Sequence, residues 1–136
     1  MTFDFLISIM KNVINWFEIY TSDFERAKKF YTDVFKITLT ELPMSNPNHS
    51  EMRYATFPFD ENANGSGGAL VKINEVKPGA GGTLVYFASK EINDELSRIE
   101  PAGGKVIRPK MNIGEYGFIA LAEDTEGNLI GLHSMQ

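Results

Sequence analysis

Two residues of this 136-residue chain stand where strand-borne polar groups could do acid–base chemistry: Glu18 in "VINWFEIY" and His133 in "NLIGLHS". A carboxylate on a strand among aromatic side chains is a candidate general base. An imidazole near the end of another strand is a candidate acid or base partner. Plainer roles compete with both. Glu18 could form an ion pair with Arg53, Lys72 or Arg108, or a hydrogen bond to a Tyr, and His133 could be a half-exposed residue near the C-terminus. The other histidine, His49, sits in the polar loop "PMSNPNHS" and reads as solvated. With no Cys in the chain, thiolate nucleophiles, thiolate metal sites and disulfides are excluded. No Ser occupies a nucleophile elbow. The glycines of "GSGG" (65–68) lack the Lys and following helix of a phosphate loop, so they read as a turn.

The elements that must position these residues read as two similar halves. "VINWFEIY" alternates as a strand. "TSDFERAKKFYTDVFKI" repeats Phe24, Ala27, Phe30, Tyr31, Val34 and Phe35 at helical spacing, with Ser22 or Thr21 as the expected cap. Strands follow at about 37–42, 52–59 and 69–73. The second half repeats the order: a strand at 83–89, a helix carrying Ile92, Leu96 and Ile99, then strands in "KVIRP", "YGFIALAED" and "NLIGLHS". An internal repeat of about 60–70 residues is a fold-level signal. The expected class is α+β: two βαβββ modules in tandem form a curved mixed-sheet cleft, with helices on the outer face. Module one spans about 12–74, the linker 75–81 and module two about 82–134, within a single domain of 12–136. Residues 1–11 read as an N-terminal extension.

Net charge is −5, from 13 basic and 18 acidic residues. No basic run or aromatic–basic stripe points to nucleic acid. The apolar start is too short for a membrane span and lacks a basic flank, so no membrane partner is expected. A cytoplasmic location is the simplest expectation.

The stretch Ser-Asp-Phe-Glu-Arg-Ala-x-x-Phe-Tyr (22–31) and the ending "EDTEGNLIGLHS" resemble the opening and closing of the vicinal oxygen chelate superfamily. This group includes glyoxalase I, bleomycin-resistance proteins and extradiol dioxygenases. The resemblance covers about 12–134. It implies one divalent metal held by His, Glu or Gln from strands of both modules. Carried over by register, those positions fall at Trp16, Val71, Leu84 (Thr83 if the register slips by one) and Gly131. None is a His, Glu or Gln, so no metal cofactor is expected, and the chain reads as a member whose metal site is lost. The resemblance also implies a homodimer, with modules paired within one chain or swapped between two.

Strand parity turns Phe17, Ile19, Ile130 and Leu132 toward the helices. It leaves Trp16, Glu18, Tyr20, Tyr54, Leu84, Tyr86, Gly131 and His133 on the cleft as candidate ligand-binding residues, with Met111 and Tyr116 at the rim. An aromatic surface with a few polar points is the usual build of a small-molecule site. Three readings follow. One is a metal-free binding module for a small aromatic or amphipathic molecule. Another is a glyoxalase-like lyase or isomerase, or a dioxygenase, using Glu18, Glu51 or His133. The third is a structural or regulatory protein with a filled cleft.

Overall fold

The computed structural model describes residues 12–43 and 52–136. The expected extension, His49 and Glu51 lie outside the described residues. The elements are β1 (Trp16–Tyr20), α1 (Phe24–Phe35), β2 (Thr40–Leu42), β3 (Arg53–Thr56), β4 (Gly67–Lys72), β5 (Val85–Ala88), α2 (Ile92–Ile99), β6 (Lys105–Asn112), a 3₁₀ turn (Gly114–Tyr116), β7 (Phe118–Glu123) and β8 (Leu129–Ser134). They form two four-stranded sheets of the same plan, β1-β4-β3-β2 and β5-β8-β7-β6. In each, the first strand of the module pairs parallel with its last strand and the remaining pairs are antiparallel. This is the tandem βαβββ arrangement expected from the repeat.

Several strands are shorter than the sequence pattern, and pairing explains it. Trp16 is the first residue of β1 with a partner, Gly67 on β4, so Val13 is left 97% exposed. The fifth strand begins at Val85, opposite Ile130, which leaves Leu84 just ahead of it rather than inside. Ile37 and Leu39 precede β2 and pack on the core instead of extending the strand. β6 runs past the expected "KVIRP" to Asn112, with two register shifts that accommodate Pro109 on an edge strand. Tyr116 falls in the 3₁₀ turn, not in a strand.

The amphipathic face of α1 buries Phe24, Ala27, Phe30, Tyr31 and Val34. These join Ile19, Ala55 and Leu70 of the first sheet and Ile99, Ala122 and Ile130 of the second module in one core. Each large apolar side chain taken from water there contributes roughly 1.5–3 kcal/mol. Phe17, Tyr31, Phe35, Phe57 and Phe87 form a continuous ring cluster across both modules, with Phe35 stacked on Phe87 at 4.5 Å. The helices also meet, Arg98 Nε donating to the Val34 carbonyl at 2.7 Å.

The cap of α1 differs from expectation. Asp23, not Ser22 or Thr21, is the N-cap, accepting from the Arg26 amide at 3.0 Å. Ser22 is used elsewhere because Glu126, from the turn before β8, enters the helix N-terminus. Glu126 Oε1 accepts the backbone N–H groups of Ser22 (2.9 Å) and Asp23 (2.7 Å), while Oε2 accepts Arg26 Nε (2.8 Å) and Thr125 Oγ1 (2.9 Å). Helix N-termini favour a carboxylate through their free amides and dipole. The side chain of Glu126 is fully inaccessible. Burial alone would raise its pKa, but the donors from Arg26, Asp23, Thr125 and Ser22 bring it down to about 2.

A carboxyl depressed this way stabilises the fold fully above its unfolded pKa, near 4.3, and loses that contribution as pH falls toward about 2. Glu126→Gln should therefore cost about 2 kcal/mol at pH 7 and flatten the fall in stability below pH ~4.5. Urea melts from pH 2 to 7 check this. A variant as stable as wild type at pH 7 with the same acid limb would contradict it.

Candidate functional site

Each sheet has one face against the helices and one face turned from them. The strand parity read from the sequence holds: Phe17 and Ile19 pack in the core, and Trp16, Glu18 and Tyr20 occupy the free face of the first sheet. Across the rungs, Glu18 stands beside Ala69, and Tyr20 beside Val71, which in turn pairs with Tyr54. The Trp16 indole N–H donates to Tyr54 Oη at 2.8 Å, and Tyr20 Oη–H donates to Glu18 Oε1 at 2.7 Å. Thus Glu18 takes the Tyr partner among its expected alternatives, not a basic one. Arg53 faces the helix side, bonded to Glu25 at 2.8 Å and Glu41 at 2.8 and 3.0 Å. The hydrogen bond to Glu18, then burial, pushes the Tyr20 hydroxyl up to about 12. Burial, then the nearby Glu18 carboxylate, also raises Tyr54, partly offset by the bond that Trp16 donates. Both tyrosines therefore remain neutral donors at physiological pH.

On the second sheet, Tyr86 lies opposite Gly131, and Ala88 opposite His133. A Cβ on Gly131 would lie 2.4 Å from Cδ1 of the Tyr86 ring. Gly131 is thus a hydrogen-sized gap into which the Tyr86 ring settles, the close approach that a Gly within a strand often marks. His133 Nε2 donates to the Tyr116 carbonyl at 2.7 Å. Tyr86, Ala88, Ile113, Ile119 and His133 line an apolar groove of about 430 Å³. Met111, opposite Ile119, lies on the same rung as His133. Among the described residues, no hydrogen bond, ion pair or ring contact joins Glu18 to His133 or the first aromatic set to the second.

Sequence reasoning missed Phe59 and Gly67. Phe59 meets Trp16 edge-on, with ring centroids 5.3 Å apart. A Cβ on Gly67 would come within 2.8 Å of Trp16 and 2.9 Å of Phe59. The signal was present: "GSGG" runs into a strand, and its third residue faces Trp16 as Gly131 faces Tyr86.

The two modules also fix the register of the resemblance-based metal positions. Leu84 lies two residues before Tyr86, the partner of Gly131. Trp16 lies two residues before Glu18, the partner of Ala69. By this symmetry the position corresponding to Gly131 is Ala69, rather than Val71. Both are fully buried and apolar. Indole N–H, methyl, isobutyl and hydrogen offer no lone pair to a divalent ion, so this donor set does not fit one. Among the described residues, no group of three His, Asp or Glu side chains converges elsewhere.

The family model of the Glyoxalase/Bleomycin resistance protein/Dioxygenase superfamily matches residues 13–132, and the chain belongs to that superfamily. It is 28% identical over 123 residues to the mycobacterial protein named "Putative glyoxylase CFP32" of Mycobacterium bovis and Mycobacterium tuberculosis, covering 87% of this chain and 44% of theirs. The chain therefore spans less than half of the curated relatives it matches. Among solved structures, it resembles TnmS3, an antibiotic binding protein from Streptomyces sp. CB03234, with TM-score 0.63, 23% identity, and coverage of 93% and 98%. Glyoxalase I from Zea mays gives TM-score 0.67 and 23% identity over 86% of this chain and 42% of that one. At these identities the structures show the fold.

Gly131→Ala should expel the Tyr86 ring, and Gly67→Ala should displace Trp16, each at about 1 kcal/mol, the low end for an added methyl in a packed site. Trp16 is the sole tryptophan, so Gly67→Ala should also red-shift the emission. Wild-type emission and an unchanged urea midpoint in that variant would contradict the packing described.

Proposed function

We propose that this chain is a small-molecule-binding member of its superfamily that works without the family's metal. The observation that carries the reading is the replacement of the ligand positions by Trp16, Ala69, Leu84 and Gly131, with the hydrogen-bonded pairs Trp16–Tyr54 and Tyr20–Glu18 built side by side on the first sheet's free face. Hydrophobic and aromatic surface with a few oriented polar groups suits an amphipathic ligand with a ring system. The likeness to an antibiotic binding protein supports that class of occupant. Lyase or dioxygenase chemistry would instead need an ion that these side chains do not accommodate.

The binding unit is a homodimer in this account. The helices and their shared core tie the two sheets together inside one chain, and among the described residues no hydrogen bond, ion pair or ring contact joins the faces bearing Trp16 and Tyr86. A second copy supplies the opposing wall, so that one chain's first sheet and its partner's second sheet enclose each cleft.

A thermal-shift screen with small ring-bearing amphipathic molecules tests the reading. At least one compound should raise the midpoint by several degrees in wild type, as mass action requires at concentrations well above Kd, and should lose the effect in Trp16→Ala. Stabilisation that survives Trp16→Ala, or no stabilisation by any compound, would contradict it.

A further inference from the structure

Glu18 is a carboxylate set in an aromatic surface with no cation assigned to it. Its hydrogen-bond partner is a hydroxyl, that of Tyr20, while the neighbouring Tyr54 hydroxyl is held by the Trp16 indole. None of the ion pairs among the described residues includes Glu18. The basic side chains nearest in sequence register are turned away: Arg53 and Lys72 pair on the helix side, where Arg53 is engaged by Glu25 and Glu41. Lys77, on the linker, shares a groove of about 300 Å³ with Glu18 and Tyr20 but forms no ion pair there. Glu18 is solvent-exposed, so its charge is available to a ligand.

Resting on the binding reading above, we infer that the first-sheet site recognises a cationic group, a quaternary or protonated amine, on a ligand whose apolar body lies along Trp16 and Phe59. Ring faces of Trp and Tyr attract cations through their quadrupole. Here a formal negative charge stands among those rings, and the Tyr20 hydroxyl holds the carboxylate in place without neutralising it. The same arrangement disfavours an anion, which would meet the Glu18 carboxylate, a charge that no described ion pair offsets.

The test uses the 136-residue chain and the fluorescence of Trp16, its sole tryptophan. Benzyltrimethylammonium, the neutral N-benzylacetamide and the anionic phenylacetate are each titrated into wild type and Glu18→Gln. Glu18→Gln is close in shape and sits at an exposed position, and circular dichroism checks its fold. Wild type should bind the cation about tenfold or more tightly than the neutral probe, with the anion weakest. In Glu18→Gln that preference should fall to within about twofold. Equal binding of the neutral or anionic probe overturns the cation assignment and leaves the binding reading standing. A cation preference that survives in Glu18→Gln also overturns it, because the charge would then be read elsewhere. Silence with all three probes overturns the assignment, and a ligand from the thermal screen then decides the binding reading independently.

Discussion

The carboxylate of Glu126 at the N-terminus of α1 is the contact on which the rest of this structure depends. It comes from the turn between β7 and β8 in the second module and satisfies backbone amides at the start of the first module's helix. Its neighbours extend the tie. Asp124 accepts the Tyr31 hydroxyl at 2.6 Å, and Asn128 donates to the Tyr20 carbonyl at 2.8 Å while accepting from the Gly79 amide at 2.8 Å. One five-residue turn thus holds a helix, a strand end and the linker. Buried polar groups on this scale are stabilising only when their hydrogen bonds are complete. Here they are: among the described residues, no buried side-chain polar atom lacks a partner.

That tie decides which surfaces are left for function. With both modules joined through the helix side and one aromatic core, the opposite faces of the two sheets are the surfaces that the proposed binding reading uses. The chemistry of those faces is asymmetric. The first carries a carboxylate restrained by a phenol, beside a second phenol bonded to an indole; the second carries a tyrosine lying on a glycine, and a histidine bonded to a backbone carbonyl. Among the described residues, neither face brings three His, Asp or Glu side chains together.

The sequence made much of this legible, for physical reasons. Period-two alternation in "VINWFEIY" and "NLIGLHS" assigned the correct faces, because one side of each strand is bound to an apolar core. The internal repeat gave the topology, since equal strand–helix orders must build equal sheets. Strand ends were less legible, because they depend on where a distant partner begins: Gly67 sets the start of β1, and Ile130 that of β5. The capping of α1 was hidden for the same reason. Asp23 and Ser22 are both good local caps, and the choice is made by Glu126, about a hundred residues away. The fine register of Ala69 against Val71 became clear only from the pairing of β1 with β4.

The central claim is that the superfamily's metal positions in this chain have been given over to a binding surface. Elemental mass spectrometry of untagged protein, purified without chelators, tests it most directly. The account predicts well under about a tenth of an equivalent of any transition metal, far below the full occupancy of a site with three protein ligands. Close to one equivalent of zinc, nickel, manganese or iron per chain would contradict it.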